Sequence, residues 1–352
     1  MTMFAEVVDL VIGGDTHKDN HYLAMMTPAG VPTSKITIAD SVTGYATALQ
    51  WITERAGSAR VVIGLEGTRS YGIGLCRAFT EAGYRVVEVE RPRREERRRG
   101  KTDEGDARLA ALSVLRMDTD RAVEPRADGP REALRILMNA RSMRSDTRTR
   151  TINALYALLL TGTQAERQLG QHPLDAGHLV LLAQRDPLER ETEDLQTWIR
   201  RDEISSLAAE VIRLGIELRT NNTQIQQLVD QIAPTLTDLY GVGPISAAQA
   251  IMSYSHHGRC RNEAAFAALS GASPIPMSSG RSTNHRLNRG GDRQLNRALH
   301  TIAMTRARGD DRTRAYIARR TTEGTKPGHI RRVLKRYIAR ELFRTLESVL
   351  TP

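Results

Sequence analysis

The stretch that most constrains this chain is Val7-Val8-Asp9-Leu10-Val11-Ile12-Gly13-Gly14-Asp15-Thr16-His17-Lys18-Asp19. An apolar, β-branched run that ends in two glycines and an aspartate reads as a buried strand carrying a carboxylate to its C-terminal tip. A carboxylate there can hold a divalent metal, contact a nucleotide, or cap the next turn. Partner carboxylates decide among these. A second run of the same kind follows, Arg60-Val61-Val62-Ile63-Gly64-Leu65-Glu66-Gly67, again with an acid at its end.

The elements around the two runs read as β-β-β-α-β-α-β. Residues 20–27 and 34–38 are short strands, with Pro28-Ala29-Gly30 turning between them. Residues 43–56 form a helix with Tyr45, Leu49, Trp51 and Ile52 on its apolar face. Residues 72–83 are a short helix and 84–89 a fifth strand. This mixed order matches an RNase H-like α/β layout. Residues 91–101 are Arg-rich and read as a surface loop. The next helix opens after Thr102, which suits an N-cap. Asp103 and Asp106 lie three residues apart and share one face near the positive end of its dipole.

The remainder reads as helical. Residues 130–160 form a long helix, apolar at Leu134, Leu137, Met138, Leu155 and Leu158, and basic at Arg141, Arg144, Arg148 and Arg150. It can pack inward while touching phosphates. Residues 161–185 read as a linker or loop-rich segment. Ile204, Leu207, Val211, Leu214, Leu218, Asn221, Ile225, Leu228 and Ile232 then recur by threes and fours. This seam favours a coiled coil between chains, its single Asn fixing register; the competing reading packs the helix on a hairpin of its own domain. Gly241-Val242-Gly243-Pro244 joins two helices as in a helix-hairpin-helix. Pro244 suits the first helical position, and the backbone N–H groups freed at Gly241 and Gly243 can bind a DNA phosphate. Residues 263–269 are a short helix, 270–282 a small-residue loop, and 293–308 and 329–349 further helices. The expected parts are an α/β domain at 1–128, long helices with the coiled coil at 129–235, and a mainly helical domain at 236–352.

Net charge is +10 over 352 residues, and between Arg281 and Arg340 there are 17 Lys/Arg against four Asp/Glu. That concentration in the C-terminal third favours a nucleic-acid partner over ordinary solvated helices. The two cysteines, Cys76 and Cys260, lack metal-ligand spacing and fit a reducing compartment. No stretch is apolar enough to span a membrane and no leader pattern opens the chain, so a cytoplasmic protein is expected.

Three groups of residues carry chemistry. Asp15, Glu66, Asp103 and Asp106 combine two strand-end acids with two at a helix start. Phosphoryl transfer at paired divalent metals needs several such carboxylates, and Mg²⁺ prefers oxygen ligands. The alternative is that each acid caps a turn on its own. Ser278 and Ser279 precede Gly280 and the cations Arg281, Arg286 and Arg289. A serine hydroxyl there can attack a phosphodiester while arginines stabilise the developing charge; composition alone reads these serines as turn residues. His17, His256, His257 and His285 read as surface or phosphate contacts.

Taken together, Ile12-Gly13-Gly14-Asp15-Thr16-His17-Lys18, Gly64-Leu65-Glu66-Gly67, Lys101-Thr102-Asp103 and Asp106-Ala107 resemble the DEDD-type insertion-sequence transposases. These are relatives of the Piv/MooV DNA invertases and include bridge-RNA-guided recombinases. The match continues through Gly241-Val242-Gly243-Pro244, Gly271-Ala272-Ser273-Pro274, Ser279-Gly280, Arg289-Gly290-Gly291-Asp292, Leu295 and Arg297. The resemblance implies a RuvC-like N-terminal domain with four acids and Mg²⁺, a coiled-coil insertion that mediates homo-oligomer assembly, and a C-terminal transposase domain. It implies Ser279, or its neighbour Ser278, as the nucleophile that links covalently to DNA. Donor and target DNA, and a structured guide RNA, are the implied partners. Gly241, Gly243, Arg281, Arg286, Arg289, Arg293 and Arg297 are the nucleic-acid contacts expected from these motifs. Gly105 departs from the pattern, since glycine costs about 1 kcal/mol in a helix. The competing functions are a junction endonuclease that uses water, an actin-like ATPase or sugar kinase, and a non-catalytic nucleic-acid-binding protein.

Overall fold

The computed structural model describes residues 2–89, 102–185, 194–273, 275–279, 282–286, 288 and 290–350; for 276–279 and 282–286 it describes the backbone alone. The chain divides into two units, Met1–Ala127 and Asp128–Pro352.

The first unit opens with a single helical turn, α1 (Phe4–Val7), and builds one five-stranded sheet. Its strands are β1 (Leu10–Thr16), β2 (Asn20–Met26), β3 (Pro32–Ala39), β4 (Val61–Leu65) and β5 (Arg85–Glu88). Their order is β3-β2-β1-β4-β5. The first three form an antiparallel meander, and β1, β4 and β5 run parallel. Helices α2 (Val42–Ala56) and α3 (Ile73–Glu81) cover one face, and α4 (Asp103–Leu115) covers the other.

Alternation along β1 explains the two layers. Ile12 is buried with Trp51, Ile52, Leu75 and Phe79, whereas Val11 is buried with Ala110, Ala111 and Val114 of α4. Gly13 faces the same way as Val11. A Cβ on Gly13 would lie 2.0 Å from the Ala107 carbonyl oxygen and 2.3 Å from the Ala111 nitrogen. Gly64 is its register partner on β4, and a Cβ there would meet Val114 at 2.3 Å. Two side-by-side glycines therefore let α4 lie almost directly on the sheet.

In the second unit α5 (Pro130–Leu160) and α8 (Leu195–Ile232) form an antiparallel pair. Antiparallel packing follows from three contacts: Asn221 Nδ2 donates to the Leu137 carbonyl (3.0 Å), Arg144 pairs with Glu217 (2.9 Å), and Arg200 Nη1 donates to the Leu158 carbonyl (3.1 Å). The heptad seam is thus covered within one chain, the reading that competed with an intermolecular coiled coil. Its upper half shares a core with Leu155, Leu159, Leu179 and Leu182, and Ile225 and Val229 join the C-terminal core. Arg141 and Arg144 are turned onto α8 and so are spent on packing rather than left for phosphates.

Residues 161–185 are not a linker. They hold α6 (Gln164–Gly170) and α7 (Ala176–Ala183). Thr163 and Glu166 cap α6 reciprocally, a signal visible in the sequence as Thr-x-x-Glu. Asp175 caps α7, which buries Leu179 and Leu182.

A 3-10 turn, Pro234–Leu236, follows α8 and leads through Gly241 and Gly243 into α9 (Pro244–Tyr254), with Pro244 in its first turn. The element before the glycine turn is that single turn, not a full helix. Next come α10 (Glu263–Leu269), β6 (Ile275–Ser279), β7 (Ser282–Arg286), α11 (Arg293–Gly309), α12 (Asp311–Thr322) and α13 (Pro327–Leu350). The stretch read as a small-residue loop is therefore partly a hairpin. Small residues build no core, but a strand ladder is a backbone interaction and needs none. Among the described residues no helix is long and apolar enough to cross a membrane.

The glycine contact gives a direct test. Gly13→Ala forces backbone of α4 off the sheet and should lower the stability of the first unit by about 1–3 kcal/mol. Gly243→Ala meets nothing within 4 Å at an ordinary φ of −91°, and should cost no more than the loss of a favourable N-cap, about 0.5–1 kcal/mol. Thermal unfolding of both variants measures the contrast; equal midpoints would contradict it.

Candidate active site

The same glycines that seat α4 deliver the acids. Asp15 lies two residues beyond Gly13 and Glu66 two beyond Gly64, so both acids face the α4 side of neighbouring parallel strands. The Glu66 N–H donates to the Gly14 carbonyl (3.2 Å), and the Thr16 hydroxyl donates to the Glu66 carbonyl (3.0 Å). These bonds tie the two strand ends together. Gly67 then turns the chain at φ +61°, where a Cβ would strike Ser70 and Thr16.

Opposite them, α4 begins with its two aspartates. The Thr102 hydroxyl accepts from the Gly105 N–H (3.1 Å). A Cβ at Gly105 would crowd that hydroxyl at 2.8 Å, which accounts for a glycine in this first turn. Asp103 and Asp106 both fall in the turn, where the helix dipole favours negative charge. Glu104 points elsewhere and pairs with Lys35 (2.8 Å).

Asp15 and Asp106 are nearly enclosed, 6% and 4% exposed, while Asp103 is more open. Burial raises the Asp15 carboxyl above the ordinary carboxylate range; Asp106 and Asp103 push the same way, and His17 opposes them. The His17 Nε2 lies 3.1 Å from Asp15 Oδ2 and 3.4 Å from Asp103 Oδ1. Ligand atoms of Asp15, His17 and Asp103 lie within 4.8 Å of one another. A crowd of acids around a desolvated carboxylate is a donor set that fits a hard divalent cation. The sequence reading put His17 among surface or phosphate contacts. Its signal is the i,i+2 spacing from Asp15, which puts both on one face of a strand.

The serine motif lies on the second unit. In the backbone ladder Ser278 stands opposite Thr283 and Ser279 opposite Ser282. Gly280, Arg281 and Arg289 lie outside the described residues, as do the side chains of Ser278, Ser279 and Arg286. The ends of the hairpin are clamped. The Asp292 N–H donates to the Leu269 carbonyl (2.6 Å), and a Cβ on Gly291, at φ +91°, would meet that carbonyl at 2.4 Å. Asp292 caps α11 and accepts from the Ser253 hydroxyl (2.6 Å). On the other side Asn296 Nδ2 donates to the Ser270 carbonyl (2.6 Å), and its Oδ1 accepts from Lys335 Nζ (2.8 Å). Burial, then Arg331 and Arg332, hold Lys335 below the ordinary lysine range. Sequence reasoning missed this clamp because its members are scattered over four helices.

Arg293 and Arg297 are exposed one turn apart on α11, beside the hairpin, with no ion pair among the described residues. Gly241 adopts φ +79°, and Gly243 is the N-cap of α9 with no side-chain cap bond.

Both units match known families. Residues 12–163 match the DEDD domain of IS110-type transposases, and residues 233–318 match the family described as Transposase IS116/IS110/IS902. The chain belongs to the IS110 family of transposases. A protein of insertion element IS110 from Streptomyces coelicolor, described as an uncharacterized 43.6 kDa protein, is 30% identical over 124 residues. That alignment covers 34% of this chain and 31% of the relative, so it spans about a third of the relative's length. The DEDD type implies use of a divalent metal, in keeping with the donor set around Asp15.

The pH dependence of Asp15 follows from its burial. A carboxyl with a folded-state pKa above its unfolded one takes up protons on folding. Its contribution to stability is fully present below the unfolded pKa and is lost as pH rises through the folded one. Asp15→Asn should therefore raise the melting temperature at neutral pH, and the gain should vanish below about pH 4. A lower melting temperature than wild type at pH 7 would overturn this.

Proposed function

We propose that this chain is a DNA recombinase that moves its own insertion sequence. The observation that carries the reading is the cluster of Asp15, His17 and Asp103, with Asp106 close enough to act on Asp15; Glu66, at the end of the neighbouring strand, is read as the fourth acid. The strand order β3-β2-β1-β4-β5 supports an RNase H-like, RuvC-like fold for residues 1–128. Residues 129–235 act as the helical insertion and 236–352 as the transposase domain, entered through the glycine turn at Gly241 and Gly243.

The four acids would hold Mg²⁺, which supplies charge neutralisation at a scissile phosphate. Asp15 and Asp106 are already desolvated, and the capped start of α4 orients Asp103 and Asp106. Ser279, with Ser278 as the alternative, is the nucleophile. Its oxygen bonds to phosphorus as the bond to the leaving DNA oxygen breaks, and a second DNA hydroxyl later releases the serine and joins the exchanged strand. Arg281, Arg286, Arg289, Arg293 and Arg297 contact donor and target DNA. A structured guide RNA and a homo-oligomer complete the assembly.

A second reading is favoured by one observation: all four acids belong to the first unit, which needs no serine to form the carboxylate cluster. In that reading water attacks and the chain is a metal-dependent junction endonuclease.

Denaturing electrophoresis of the full chain incubated with element-end DNA, Mg²⁺ and the flanking non-coding RNA separates the two. The recombinase reading expects a protein–DNA adduct that Ser279→Ala abolishes and Asp15→Asn reduces by about 100-fold or more. Normal cleavage by Ser279→Ala without an adduct establishes the water mechanism. Independently, Mg²⁺ should raise the melting temperature of the wild type but not of Asp15→Asn; equal shifts would remove the metal site.

A further inference from the structure

A cavity of about 870 Å³ opens between α11, α12 and α13, away from the acids and the serine hairpin in sequence. Arg306, Arg312, Arg319, Arg340 and Arg344 line it, against Asp310 and Glu341. Asp310 is committed to capping α12 through Thr313, and Glu341 to Arg306 (2.6 Å). Arg340 is held by Glu263 (2.8 Å), which leaves Arg312, Arg319 and Arg344. Arg312 is exposed, near the Asp310 carboxylate, and makes no hydrogen bond or ion pair among the described residues. Arg319 and Arg344 are 67% and 70% exposed in loose pairs of 3.8 and 3.4 Å, and such surface pairs are worth little and exchange readily.

Two aromatic rings complete the lining. Tyr316 and Tyr337 meet edge to face, with ring centroids 6.1 Å apart. The Arg319 guanidinium lies 5.6 Å over the Tyr316 ring. Tyr337 is 51% exposed, although the chain has only nine tyrosines and 4% aromatic residues. A half-exposed ring among cations offers a stacking platform to a base, with phosphate sites beside it. The volume is that of a drug-sized ligand, roughly 300–1,000 Å³, which admits a few nucleotides of one strand and no duplex. An acidic peptide would satisfy the arginines but has no use for the ring.

We propose that the α11–α12–α13 groove binds a short segment of single-stranded nucleic acid, with a base stacked on Tyr337 and phosphates held by Arg312, Arg319 and Arg344. The inference rests on the nucleic-acid reading above only for the class of ligand; it does not require strand exchange.

Fluorescence anisotropy of the full chain tests it without divalent metal, using labelled oligothymidylate, oligouridylate and a duplex, each of about 12 nucleotides per strand. Tyr337→Ala should weaken binding of at least one single strand by about 5- to 100-fold and duplex binding by less than about twofold. Tyr337→Phe should retain single-strand affinity. Arg312→Ala, at an exposed residue that makes no hydrogen bond or ion pair among the described residues, should weaken single-strand binding and flatten its salt dependence. A preference between the two homopolymers identifies DNA or RNA as the source. The proposal is overturned if Tyr337→Ala and Arg312→Ala both leave single-strand affinity within twofold, if duplex affinity falls equally, or if polyglutamate displaces the strands as well as an oligonucleotide does. Homopolymers carry no exchange site, so failure of the recombinase reading leaves this outcome unaffected.

Discussion

The close approach of α4 to the sheet is the contact on which the candidate active site depends. Gly13 and Gly64 remove the side chains that would hold the helix away, and each is followed two residues later by an acid on the same face. The helix that fills this space brings Asp103 and Asp106 in its first turn. Packing and chemistry therefore share one geometry. Any group that lifts α4 also opens the carboxylate cluster, because the strand acids are fixed by the register of β1 and β4.

That geometry has a cost. Three carboxylates lie close together, Asp15 and Asp106 both buried, and Asp103 and Asp106 oppose the charge on Asp15 in the folded state. His17 offsets part of this by lying between Asp15 and Asp103. The arrangement is typical of a site kept for function at the expense of stability.

Much of the first unit is legible in the sequence, because its strands are short β-branched runs bounded by turns and α2 and α3 have clear apolar faces; α4 has none and is marked by its N-cap and acids instead. The four acids stand out for the same reason: they sit where those periods end. His17 was passed over because a single histidine carries no pattern. The second unit is harder. Residues 161–185 have a polar composition, yet Thr163 and Asp175 cap two helices there. The heptad seam is real in its spacing, but spacing does not say which helix covers it; α5 does so in the same chain, with Asn221 bonded to its backbone. The hairpin at Ile275–Arg286 was invisible because its ladder depends on backbone pairing and on a clamp formed by distant residues.

The antiparallel pairing of α5 and α8 also bears on how such a chain can change length. Thirty-one residues of α5 at about 1.5 Å each make a rod of roughly 46 Å. Chain enters and leaves that rod at the same end, where Leu134, Ile225 and Val229 join the C-terminal core. Matched segments could be added to or removed from both helices without disturbing the base. Only the tip, with α6 and α7, would travel. The rod is thus an adjustable ruler: evolution can reset the reach of its tip by whole helical turns while the rest of the unit stays as it is.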